Sequence, residues 1–74
     1  MVSAAAISRY MSDLSYKTKD NYELANLLSR LSDDLETFGT PFSKRWSDFT
    51  SLEKRVILQC KQAMENGKQF KPNT

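Results

Sequence analysis

Seventy-four residues form one domain at most, and a single core of that size rarely supplies more than about 3–5 kcal/mol without a staple. One cysteine and no histidine exclude an internal disulfide and a tetrahedral nitrogen–sulfur zinc set, so the core is expected to rely on regular helix packing, self-association or a partner. With 39% apolar residues, 27% charged residues and a net charge of +2, the chain reads as folded; with two glycines and two prolines, it reads as helical and not sheet-built.

The opening Met1–Ile7 stretch is apolar but short, lacks a basic start and meets Arg9 and Asp13 at once, unlike a secretory leader. A first helix is predicted over about residues 4–16. Ser3 is its N-cap, and Ala4, Ile7, Met11 and Leu14 share a face. After the Lys17-Thr18-Lys19 linker a second helix is predicted over about 20–38. Asp20 and Glu23 form its capping box, and Leu24, Leu28, Leu31, Leu35 and Phe38 form its stripe, with Ser29, Arg30, Ser32, Asp33 and Glu36 on the other sides. Gly39 and Pro41 stop it.

Thr40 and Pro41 also read as a start signal. A third helix over about 41–49 would put Phe42, Trp46 and Phe49 on one face, as an apolar plug in the favoured reading or a docking face in the alternative, and send Lys44, Arg45 and Asp48 outward. The fourth helix, about 51–66, opens on a Thr50/Glu53 capping box and closes at Gly67. Its apolar face is Leu52, Val56, Ile57, Cys60, Ala63 and Met64, opposite Arg55, Gln59, Gln62 and Asn66. Residues 68–74 read as a flexible basic tail. The fold class is thus all-α: a compact bundle of three to four short helices over residues 1–67, held together by short connections.

No apolar run approaches a membrane span, the longest late one being Val56-Ile57-Leu58. A lone cysteine fits a reducing compartment. The expectation is a cytoplasmic protein without a membrane partner.

The composition disfavours catalysis. Without histidine the commonest general base and every Cys–His or Ser–His pair are missing. The two glycines lie too far apart for a phosphate loop. Asp33, Asp34 and Glu36 point in different directions on a helix and read as a solvated face. Cys60, among apolar neighbours, reads as a small hydrophobe. No enzyme activity, metal or cofactor is expected.

What stands out is charge placement. Residues 1–37 carry four basic and six acidic groups, giving −2; residues 38–74 carry seven and three, giving +4. The simple reading is that the two halves attract each other within the fold; the functional one is a basic surface for an anionic partner. Lys44, Arg45, Lys54, Arg55 and Lys61, with Leu58 as an exposed apolar point near Tyr10 or Tyr22, are the candidate partner-binding residues. The reading favoured is a small regulatory interaction protein that docks on a larger protein or self-associates through helical faces. The alternative is a DNA-binding regulator using the third and fourth helices as a helix-turn-helix pair. Against that alternative stand the low net charge, the absence of glycine in the turn, and Glu53 at the head of the recognition helix.

Overall fold

The computed structural model describes residues 2–67 and 70. Three α-helices make the frame: α1 (Ala4–Lys17), α2 (Tyr22–Glu36) and α3 (Ser51–Asn66).

Helix α1 begins where the Ser3 hydroxyl accepts the Ala6 N–H at 3.1 Å, satisfying one orphan donor of the first turn. Ile7 and Met11 are buried and Ala4 and Leu14 half-buried, so the expected stripe faces inward. Thr18 ends the helix. Its N–H and its hydroxyl both donate to the Leu14 carbonyl, each at 2.9 Å.

Helix α2 is shorter than its leucine pattern suggests. Asn21, not Asp20, is its cap, with Oδ1 accepting the Leu24 N–H at 3.2 Å. The helix closes at Glu36, with Thr37 as C-cap. Leu28, Leu31 and Leu35 are buried and Leu24 half-buried, but Phe38 lies beyond the helix and is exposed.

Helices α1 and α2 run antiparallel and share the largest helix–helix interface. Its register is set by serines. The Ser8 hydroxyl donates to the Ser32 carbonyl at 2.7 Å, and the Ser32 hydroxyl donates to the Ser8 carbonyl at 2.8 Å. Two turns further along, the Ser15 hydroxyl donates to the Ala25 carbonyl at 2.9 Å. A side chain of one helix can reach the backbone of the other only where the helices approach closely, and serine is small enough to allow that. Ser32 therefore belongs to the interior, correcting its placement on the outer sides of α2.

The third helix expected over 41–49 does not form. Residues 37–50 are a connection containing a single 3₁₀ turn, Trp46–Asp48. Local polar groups compete with a helix here. The Ser43 hydroxyl and N–H both donate to the Thr40 carbonyl, at 2.8 and 3.1 Å, and Asp48 Oδ2 accepts the Arg45 N–H at 3.3 Å. A nine-residue segment has little helical stability of its own. The aromatic plug is corrected with it: Phe49 is buried, whereas Trp46 is exposed and Phe42 is 98% exposed.

Helix α3 starts and stops as its sequence indicates. Thr50 Oγ1 accepts the Glu53 N–H at 3.1 Å and Glu53 Oε1 accepts the Thr50 N–H at 2.8 Å. Gly67 ends it at φ 65°, in the left-handed region that glycine enters without penalty. Val56, Ile57, Cys60 and Ala63 face the hairpin, while Leu52, expected on that face, is exposed.

The second phenylalanine of the core comes from the C-terminal segment. Phe70 is 7% exposed, and its N–H donates to the Tyr10 hydroxyl at 3.2 Å. The rest of the expected tail, 68–69 and 71–74, lies outside the described residues.

Candidate functional site

The six residues singled out by charge and exposure separate into two groups. Lys44 turns inward. Its Nζ lies 3.3 Å from Glu53 Oε1, 3.4 Å from Glu53 Oε2 and 3.9 Å from Asp34 Oδ2. It also stands 4.7 Å from the centroid of the Phe49 ring. Lys44 thus clips the connection to both α2 and α3, and the expectation that it faces outward is corrected. The Thr50 N–H, ahead of Lys44, holds the Glu53 carboxyl below its ordinary pKa against an opposing effect of burial.

The connection then builds a short stack. Trp46 and Phe49 have ring centroids 5.8 Å apart and tilted by 50°. Lys54 Nζ lies 5.6 Å from the Trp46 centroid, within cation–π range. Arg45 is exposed beside this stack in sequence.

The second group lies on α3. On a helical surface a residue's neighbours are those three and four positions away. For Leu58 these are Lys54, Arg55, Lys61 and Gln62: three cations, one amide and no carboxylate. Leu58 is 45% exposed, Arg55 and Gln62 are exposed, and Lys54 and Lys61 are half-buried. The ion pairs among the described residues are Asp13–Lys17 and those of Lys44. None of the three cations around Leu58 is in them. Among the described residues the Lys44–Asp34 contact is the one ion pair that joins the basic half of the chain to the acidic half. Of the aromatic companions suggested for Leu58, Tyr22 is exposed, and Tyr10 is half-buried with its hydroxyl engaged by Phe70.

Two features had no clear signal in the sequence. One is the exposure of Phe42 and Trp46, which depends on the connection not being helical. The other is a groove of about 270 Å³ lined by Ala5, Ser8, Arg9, Ser12, Ser32 and Glu36. The buried hydroxyls of Ser8 and Ser32 in its wall are already committed to each other's backbone.

Cys60 is fully buried, and desolvation pushes its thiol up to about 12; a thiol held neutral is a poor nucleophile. Among the described residues no three metal-ligating side chains come together, and no helix is long and apolar enough to cross a membrane. The described surface carries exposed apolar and cationic side chains.

Comparison with known proteins finds no matching family model, no matching curated protein and no matching solved structure.

Proposed function

We propose that the chain is a small non-enzymatic interaction protein that regulates a larger protein by docking on it through the 37–50 connection and the outer side of α3. The observation that carries this reading is the placement of large apolar side chains outside the core. Phe42 is almost wholly exposed, and Trp46, Leu52 and Leu58 are 40%, 54% and 45% exposed. Scattered single leucines mean little. With Phe38, also 40% exposed, a tryptophan, two phenylalanines and two leucines left in water by a chain with so few large apolar side chains are better explained as docking points, since aromatic anchors carry much of the energy of protein interfaces.

The DNA-binding alternative draws on the same cations but has lost its geometry. A helix-turn-helix needs a helix immediately before the recognition helix, and the segment 41–49 that was to supply it holds only the 3₁₀ turn.

The test is site-specific photo-crosslinking in the native host, with a photoreactive phenylalanine analogue at position 42, at position 58 or at the exposed Asn26 of α2. A discrete protein adduct, or a covalent dimer of the chain, from positions 42 and 58 but not from 26 is the expected result. The same diffuse smear from all three positions would sink the reading.

A further inference from the structure

The outer face of α3 carries enough chemistry to define what it binds. We propose that it takes a peptide segment of another protein in which aspartate or glutamate is interspersed with large apolar side chains. This rests on reading the chain as an interaction protein and adds the chemical class of its partner.

Three observations combine. First, Leu58 stands at the centre of the solvent side of α3, and three of its four surface neighbours are Lys54, Arg55 and Lys61. An apolar point ringed by cations is complementary to an apolar side chain ringed by carboxylates. Second, none of those cations is paired within the fold among the described residues. The acidic groups closest to them in sequence do not offset them. Glu53 is turned to Lys44 and the Thr50 N–H, Asp48 is engaged by the Arg45 N–H, and Glu65, one turn after Lys61, is in none of the ion pairs among the described residues. Third, apolar side chains continue the face on both flanks. Leu52 is exposed in the first turn of α3, and Trp46 lies against Lys54 Nζ.

A phosphate backbone would use the cations and leave the leucines without a role. An uncharged apolar partner would use the leucines and leave three cations desolvated at the contact. An acidic segment with apolar side chains uses both.

Trp46 is the only tryptophan in the chain and flanks this face, so its emission reports occupation directly. The experiment is selection of a random-peptide display library on the immobilised full chain, followed by titration of the enriched peptides, and separately of a short DNA duplex, against Trp46 fluorescence at low and moderate salt. The expected result is enrichment of peptides that combine carboxylates with Leu, Ile, Phe or Trp. Their affinity should fall by about tenfold in the Arg55→Gln/Lys61→Gln double variant and in Leu58→Ser. All three positions lie on the outer side of α3, so circular dichroism should be unchanged. Enriched peptides without an acidic bias, which bind the double variant as well as the native chain, overturn the partner's chemistry and leave the interaction reading standing. A library that yields nothing, together with salt-sensitive binding of the duplex, overturns both in favour of nucleic acid. If neither peptide nor duplex binds, the proposal also fails.

Discussion

Ser8 and Ser32 show how much one small side chain can decide. Each hydroxyl spans the α1–α2 gap to the other's carbonyl, so neither is left buried without a partner. Ser8→Ala removes one of the two bonds and leaves Ser32 still bonded to the Ser8 backbone; the expected loss is about 1 kcal/mol. Ser8→Val should lose about 1–3 kcal/mol, because the added methyls must fit between helices at close approach. Urea unfolding of the two variants measures the difference, and equal losses would mean the helices are not tightly apposed there. Cys60 gives a second test at this scale. With its thiol raised from 9.0 to about 12, the unfolded chain ionises first as pH rises. The stability contributed by the neutral thiol is full below pH 9 and is lost between 9 and about 12. Melting temperatures of the native chain should therefore drop more steeply above pH 9 than those of Cys60→Ala. A thiol reagent at neutral pH should label Cys60 only after denaturant is added.

At the scale of elements, α1 and α3 follow from their sequences, α2 does so apart from its cap and its last turn, and the connection does not. Ser3, the Thr50/Glu53 box and Gly67 are local signals whose outcome depends on a few adjacent residues, and they act as read. The segment 41–49 carries equally good local signals in Thr40, Pro41 and the aromatic spacing. What defeats it is short-range competition from Ser43 and Asp48 and the weak helical stability of so short a segment, neither of which appears in a hydropathy pattern. The surface legible in advance was Arg55, Leu58 and Lys61, where the helix is regular. Lys44 was misplaced because its direction depended on the helix that does not form. Lys44 now fastens the connection. Lys44→Ala should lower stability by less than about 1 kcal/mol, since its ion pairs are partly exposed. Because the Glu53 pKa is lowered, its contribution is present above 4.5 and disappears as pH falls below that value. The stability gap between the native chain and Glu53→Gln, measured by urea unfolding, should accordingly be larger at neutral pH than in strong acid. Gly67→Ala should cost about 1 kcal/mol, at a φ that alanine adopts poorly.

Over the whole molecule, the core is completed from far along the chain. Phe70 enters it and donates its N–H to Tyr10, sixty residues earlier. Phe70→Ala should therefore destabilise by about 3 kcal/mol, the lower end of the range for a buried phenylalanine. Tyr10→Phe should remove only the hydrogen bond, about 1 kcal/mol. Thermal unfolding of both variants checks the ratio. Near-native stability of Phe70→Ala would place that ring outside the core.

The unequal helix interfaces also bear on the order in which the molecule assembles. The α1–α2 hairpin closes through a four-residue turn, and its pairs are near in sequence, so it can form early with little loss of chain entropy. Helix α3 joins across a fourteen-residue connection through a smaller interface. The native state should then open in steps. Amides of α3 are expected to exchange with deuterium through a partial opening that leaves the hairpin closed, while those around Met11, Leu28 and Leu31 exchange only through global unfolding. A ligand on the outer face of α3 would slow the first class of amides and leave the second close to its free rate. Such a pattern would make exchange kinetics a map of which layer of the protein a partner holds in place.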